Sequence, residues 1–89
     1  MTDLENAILK FTDWEQPWKF REFVLTCNLS ENDKNLFDDI WTKASDFEIW
    51  NDVDLVLGCK TCHKFIKDNY DLVDNAIGSL TRAISYDWK

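Results

Sequence analysis

The chain is poor in the residues that build turns, with two glycines and one proline among 89 residues. A strand-rich fold needs frequent tight turns, so this scarcity argues against a turn-dense β architecture and against long flexible linkers. Histidine and methionine occur once each, and no apolar run is long enough to cross a bilayer. A mostly helical domain is therefore predicted.

Export signals and paired cysteines are missing as well. The first residues, MTDLENAILKFTDW, are acidic and lack the basic segment and apolar run of a secretory signal. The three cysteines are an odd number, which does not suggest a disulfide framework. We therefore expect free thiols in a reducing compartment and a cytoplasmic location.

The chain has few positive charges, with 10 basic residues against 17 acidic ones, and its net charge is −7. That field repels a phosphate backbone, so direct binding of nucleic acid is not expected. The first 54 residues hold thirteen acidic and five basic residues, net −8, whereas the remainder is net +1. A basic partner would be steered towards the first part of the chain.

Helix-start signals recur along the first third of the chain. Thr2 and Glu5 have the spacing of a capping box, which predicts a short first helix. Thr12 and Glu15 repeat that spacing and predict a second helix, with Pro17 in its first turn and its end near residue 28. These paired signals favour helices joined by short connections.

Three further helices are predicted beyond residue 28. Ser30 with Asp33 starts one that ends near Ser45, Asn51 caps another that runs to about residue 70, and Asp71 opens the last. Residues 46–51 are expected to form a short ordered connection. The predicted fold is all-α, a compact four- or five-helix bundle in a single domain covering residues 1–89. The expected buried stripe of the last helix consists of Val73, Ala76, Ile77, Leu80 and Ile84.

The stretch GCKTCHKFI, residues 58–66, contains the Cys-Lys-Thr-Cys-His spacing by which c-type cytochromes attach haem. Haem would need a second axial ligand, and His63 and Met1 are the only histidine and methionine. A zinc site from Cys27, Cys59, Cys62 and His63 would have the right donors. However, neighbouring residues on a helix point about 100° apart, so Cys62 and His63 would not reach one ion together.

A redox dithiol is the third alternative for Cys59 and Cys62. Reactive Cys-x-x-Cys pairs normally lie at a helix N-terminus, whereas this pair lies two turns inside a predicted helix. The preferred interpretation is that both are buried reduced thiols on the same stripe as Leu55 and Ile66, with Gly58 allowing a neighbouring helix to approach closely. His63 is then a boundary residue, and no cofactor or metal is predicted.

Signatures of catalysis are missing from the sequence. It contains no glycine-rich phosphate loop, no nucleophile motif and no second histidine. Neighbouring carboxylates such as Asp38 and Asp39 are usually solvated on a helix surface. We therefore expect a binding protein rather than an enzyme.

Tryptophan is abundant, with five in 89 residues, more than a small bundle can bury completely. Trp41 fits a core stripe and Trp88 extends the last helix, while Trp50 lies in the acidic stretch DFEIWNDVD, residues 46–54. Aromatic anchors centre interface hot spots, and surrounding acids steer a basic partner. The predicted partner-binding residues are Asp38, Asp39, Asp46, Glu48, Trp50, Asp52 and Asp54. The second choice of site is Trp14, Glu15 and Trp18.

The function expected from these features is inhibition of a basic, nuclease-like toxin by tight protein–protein binding, in the manner of an immunity protein or antitoxin. One alternative is a phage-encoded inhibitor of a host nucleic-acid enzyme. Another is a homotypic helical adaptor, in which the acidic face of one copy meets Lys60, Lys64 and Lys67 of another. A redox or haem role of the cysteine motif is the remote alternative, and the sequence leaves the oligomeric state open.

Overall fold

The computed structural model describes residues 2–50 and 55–87, except for the side chains at positions 47, 48 and 55. This part of the chain contains six α-helical segments and one 3₁₀ turn. These are α1 (Asp3–Lys10), the 3₁₀ turn (Pro17–Lys19), α2 (Phe20–Thr26), α3 (Glu31–Ala44), α4 (Phe47–Trp50), α5 (Leu55–Asn69) and α6 (Asp74–Asp87). Five helices span seven residues or more, and none of the described residues lies in a strand. This confirms the prediction of a small all-α bundle.

The start of α1 is a complete capping box, as the spacing predicted. Thr2 N–H donates to Glu5 Oε1 at 2.7 Å, and Glu5 N–H donates to Thr2 Oγ1 at 3.1 Å. The second oxygen of Glu5 also accepts the N–H of Val73 at 2.6 Å, across 68 residues of sequence. This carboxylate is only 4% exposed, so one buried charge both caps α1 and fixes the approach to α6.

The predicted second helix begins later than expected. Thr12 does not cap a helix, and the Thr12–Glu15 pair does not form a capping box, because α2 starts only at Phe20, after the 3₁₀ turn. Pro17 explains the difference: a proline disfavours helical geometry in the residue before it, and Gln16 accordingly has φ −127° and ψ 65°. A helix begun at Thr12 would have to pass through that residue.

The predicted start and end of α3 agree with the structure, whereas the predictions for the helices after it agree less well. Ser30 Oγ accepts the N–H of Asp33 at 3.1 Å, and α3 ends at Ala44 as expected. The connection predicted over residues 46–51 contains the single turn α4. Asn51, the expected cap of the next helix, lies outside the described residues.

The last helix opens at Asp74 rather than at Asp71. Val73 was expected in the core but is 38% exposed, whereas the other four residues of its predicted stripe are buried. The physical reason is the bond to Glu5, which holds the Val73 backbone at the entry to α6. Of the described helices, none is long and apolar enough to span a membrane.

The core has two regions, one aromatic and one mainly aliphatic. In the first, the fully buried ring of Phe20 lies against Trp14, Phe37 and Trp41 at centroid distances of 5.7, 6.2 and 6.1 Å. The second is the aliphatic centre, where the long helices meet. Its completely buried side chains include Ile8, Val24, Ile40, Cys62, Ile66, Ile77, Leu80 and Ile84.

Trp50 joins α4 to its neighbours on both sides. Its indole N–H donates to the carbonyl of Ala44 at 2.7 Å, which satisfies one of the free carbonyls at the end of α3. A Cβ placed on Gly58 in α5 would lie 2.8 Å from Cε3 and 3.0 Å from Cζ3 of the same indole. The expectation that Gly58 permits close approach is therefore confirmed, and the approaching group is the Trp50 ring.

This contact yields a prediction for Gly58→Ala. Alanine favours a helix over glycine by about 1 kcal/mol, but here the added methyl group overlaps an indole that a hydrogen bond holds in place. We expect a net loss of about 1–3 kcal/mol in the free energy of unfolding, measured by urea denaturation.

Gly78→Ala is the matched control, because a methyl group at Gly78 in α6 would meet no heavy atom of the described residues within 4 Å. This variant should gain about 0.5–1 kcal/mol. Equal effects of the two substitutions would contradict the proposed overlap with Trp50.

A second prediction concerns the acid sensitivity of Glu5. The backbone N–H of Thr2, and next that of Val73, hold the pKa of Glu5 below its ordinary value. A carboxylate with a lowered pKa in the folded state stabilises the fold above its unfolded pKa, about 4.3. This stabilisation is lost as the pH falls through the folded pKa. Wild type should therefore lose more stability than Glu5→Gln between about pH 6 and pH 3.

Urea unfolding across this pH range measures the difference between the two proteins. Glutamine still fits the capping box, so the variant is expected to fold. Glu15→Gln, at an exposed position before the 3₁₀ turn, serves as the control and should follow the wild-type curve. Parallel curves for wild type and Glu5→Gln would rule out this role for Glu5.

Candidate functional site

Asp38 and Asp39, the α3 residues of the predicted acidic site, both face intramolecular donors. Asp38 Oδ1 accepts a hydrogen bond from Arg21 Nη2 at 2.8 Å, which is also an ion pair. Asp39 accepts the hydroxyl of Tyr70 at 2.8 Å and lies 3.3 Å from Lys43 Nζ. The hydrogen bond from Tyr70 is the largest cause that lowers the pKa of Asp39, and the hydrogen bond from Lys43 is the next largest. Burial is the largest cause that raises the pKa of Tyr70, to about 12, and its hydrogen bond to Asp39 adds to the rise. The charge of both carboxylates is therefore partly balanced within the molecule.

The rest of the predicted acidic site is divided. Asp46 is exposed, directly before α4. The side chain of Glu48 and the whole of Asp52 and Asp54 lie outside the described residues. The interpretation of Trp50 as an exposed anchor is corrected, because its indole is 6% exposed and is held by Ala44 and Gly58. The acidic neighbours of Trp50 suggested an exposed position. The signal for a core position was Gly58, eight residues later, because a glycine in a helix leaves room for a large ring to pack against the backbone.

The second-choice residues Trp14, Glu15 and Trp18 come together on one groove of about 780 Å³. Trp18 is 73% exposed, whereas Trp14 is half-buried. We call this surface the aromatic groove. Its lining residues are Trp14, Glu15, Pro17, Trp18, Arg21, Trp41, Ala83, Tyr86 and Asp87.

The aromatic groove is positioned by the core beneath it. The rings of Trp14 and Trp41 both stack on Phe20, with interplanar angles of 22° and 21°. Trp18 projects from the 3₁₀ turn that begins at Pro17, whose fixed φ suits the first position of such a turn. The rings at the base of the groove are therefore held by packing, while Trp18 presents its indole to solvent.

Sequence reasoning missed the contributions of α3 and α6 to the groove. Trp41 was assigned to the core, which its contact with Phe20 supports, but its half-buried ring also reaches the groove. Tyr86 and Asp87 come from the end of α6, about 70 residues after Trp14. No local spacing brings such distant residues together, so only the folded arrangement reveals them.

Cationic and anionic groups lie beside these rings. The Arg82 guanidinium carbon lies 4.3 Å from the centroid of a Trp14 ring, which is a cation–π contact. Arg21 lines the groove with its charge matched by Asp38. Glu15 and Asp87 add two carboxylates to the lining. Such a surface suits a ligand that combines apolar or planar surface with positive charge.

The cysteine motif lies elsewhere, inside α5. Cys62 is completely buried and His63 lies at the boundary, as predicted. Cys59 was also predicted to be buried, but it is only half-buried, so this part of the prediction is corrected. Burial raises the pKa of Cys62 to about 11. The Thr81 hydroxyl opposes this rise in pKa, although it forms no hydrogen bond of normal geometry in the described part of the chain. A reactive dithiol needs the opposite shift.

Metal binding through these cysteines gains no support from the geometry. Among the described residues, no group of three or more histidine, cysteine and acidic side chains is placed to hold one ion. Cys27 instead directs its Sγ to the carbonyl of Phe23 at 3.3 Å, within its own helix end.

Comparison of the chain with protein-family models, curated proteins and solved structures gives no match. A small helical bundle can carry many unrelated functions, so the fold alone assigns none. The case for function rests on the groove and its charges.

The burial of the thiols predicts their order of reactivity. At pH 8 a thiol with a pKa of about 11 has a thiolate fraction on the order of 100-fold lower than an ordinary one, and Cys62 is also inaccessible. Mass spectrometry after brief treatment with iodoacetamide should find Cys62 unmodified while half-buried Cys59 reacts. In urea all three cysteines should react alike. Labelling of native Cys62 as fast as Cys59 would contradict the packing described here.

Proposed function

We propose that this chain is a small acidic protein-binding protein that inhibits a basic, nuclease-like partner, in the manner of an immunity protein or antitoxin. The observation that supports this most is Trp18, an indole 73% exposed on a groove bordered by carboxylates, in a chain of net charge −7. Binding rather than catalysis is part of the proposal.

A protein partner accounts for the aromatic groove better than a solvent-facing role does. Single exposed apolar residues are common on protein surfaces, but Trp18 continues into the rings of Trp14, Trp41 and Tyr86 in one concave surface. Tryptophan, tyrosine and arginine are the residues enriched in interface hot spots. Because packing on Phe20 already fixes two of these rings, docking would cost little side-chain entropy.

A basic partner follows from the charge distribution. Thirteen of the 17 acidic residues precede Leu55, and they include the groove residue Glu15 and the neighbouring Asp38. Such a field attracts cationic surfaces at long range and increases the rate of encounter. Enzymes that act on nucleic acids are basic where they hold phosphate, so an acidic protein can compete for that surface.

The homotypic adaptor is less favoured by the contacts of α5. Lys64 and Lys67 lie 3.4 Å from Asp68 and from Asp74, respectively. These exposed pairs are individually weak, but they reduce the positive charge that a second copy would meet. A phage-encoded inhibitor would use the same groove and charges and differs only in the origin of its partner.

The experiment is to co-express this chain with the product of each adjacent reading frame. We expect one product to arrest growth, wild type to restore it, and the two purified proteins to form a complex. Trp18→Ala should weaken the complex by about 2–4 kcal/mol, mainly through faster dissociation. Higher salt should mainly slow association.

Leu57→Ala is the matched control, since Leu57 is 47% exposed but lies outside the groove. It should bind like wild type. An unchanged affinity of Trp18→Ala would exclude the groove as the interface and return attention to the predicted acidic stretch. Self-association at low salt without any partner would support the adaptor, and capture of a host nucleic-acid enzyme would support the phage inhibitor.

A further inference from the structure

We infer that the aromatic groove is a receptor for a guanidinium group, so that an arginine side chain of the partner binds against Trp18. The inference rests on the proposed function, because it names the chemical group by which a basic partner is recognised. It adds a defined ligand to what would otherwise be a general attraction between charges.

The protein already makes a contact of this kind within its own chain. Arg82 from α6 places its guanidinium 4.3 Å from the ring centroid of Trp14, well inside the distance at which the aromatic quadrupole attracts a cation. A tryptophan that lines the groove thus already holds a guanidinium, although Arg82 itself is not part of the lining. Trp18 presents a second and far more exposed indole on the same groove.

The charges of the groove also favour a cationic ligand. Glu15 and Asp87 bring two carboxylates to the lining, and the lining cation Arg21 is paired with Asp38 at 2.8 Å. With Asp38 and the adjacent Arg82 included, three carboxylates and two guanidinium groups surround these rings, so the groove carries a small excess of negative charge beside flat apolar surface. A guanidinium meets both conditions, because it is planar, weakly hydrated and able to donate two parallel hydrogen bonds to a carboxylate.

Lysine and nucleobases fit this combination less well. An ammonium group is compact and strongly hydrated, so it loses more on leaving water and cannot stack on an indole. Nucleobases stack well on tryptophan, but their phosphates require a basic groove, whereas the carboxylates here repel them. Both are included as ligands in the test.

The test uses the full chain labelled with ¹⁵N and the peptide acetyl-Gly-Ser-Arg-Ser-Gly-amide. We expect the indole N–H signal of Trp18 to shift on titration, together with that of Trp14 or Trp41. The same peptide with citrulline keeps the shape of arginine but lacks its charge, and should bind about threefold to thirtyfold more weakly. The lysine peptide should fall between the two, and a short oligothymidine should not shift these signals.

Variants assign the binding to the groove. Trp18→Ala should abolish the shifts of the remaining groove indoles, and Glu15→Gln or Asp87→Asn should weaken binding several-fold. Asp68→Asn and Leu57→Ala, on residues outside the groove, are the matched controls and should leave the titration unchanged. Amide spectra confirm that each variant is folded.

Three results would overturn the inference. These are equal affinity for the arginine and citrulline peptides, stronger binding of the oligonucleotide, and no shift of the groove indoles at about 10 mM peptide. If the peptide fails while Trp18→Ala still weakens a partner complex, the inference is wrong and the proposed function stands. If the peptide binds as expected but no partner is inhibited, the guanidinium site stands and the proposed function is wrong.

Discussion

The ring of Phe20 is completely buried and touches four other aromatic rings, with centroid distances between 5.3 and 6.2 Å. Phe11 and Trp14 reach it from the segment after α1, and Phe37 and Trp41 reach it from α3. Aromatic pairs in offset or edge contact add to the free energy gained by burying their area. This cluster binds α2, which is only seven residues long, to the rest of the fold, and it also supports the base of the aromatic groove.

Local signals were sufficient where a helix end depends on its own neighbours. The caps at Thr2 and Ser30 could be read from spacing because donor and acceptor lie three residues apart. The same rule failed at Thr12, since the effect of Pro17 on its predecessor outweighed the pattern. It failed again before α6, where the decisive hydrogen bond comes from Glu5 at the other end of the sequence.

The candidate site was harder to predict than the fold. Acidic residues that are adjacent in sequence suggested a site around Trp50, but the helix that follows buries that indole. Trp14, Glu15 and Trp18 were the second choice of site, and the fold brings these three residues together in the aromatic groove. The rest of the groove comes from α3 and α6, and periodicity within one helix does not report which surfaces of distant helices meet.

The hydrogen bond from Val73 to Glu5 has a consequence for the order of events during synthesis. A ribosome that has translated Trp18 has still to translate 65 residues to reach Ala83 and 68 to reach Tyr86, the α6 residues of the groove. Until then α1 lacks the partner of its buried carboxylate and one wall of the groove is missing. Contacts between such distant segments form late. The aromatic groove of a nascent chain is therefore incomplete until α6 has docked.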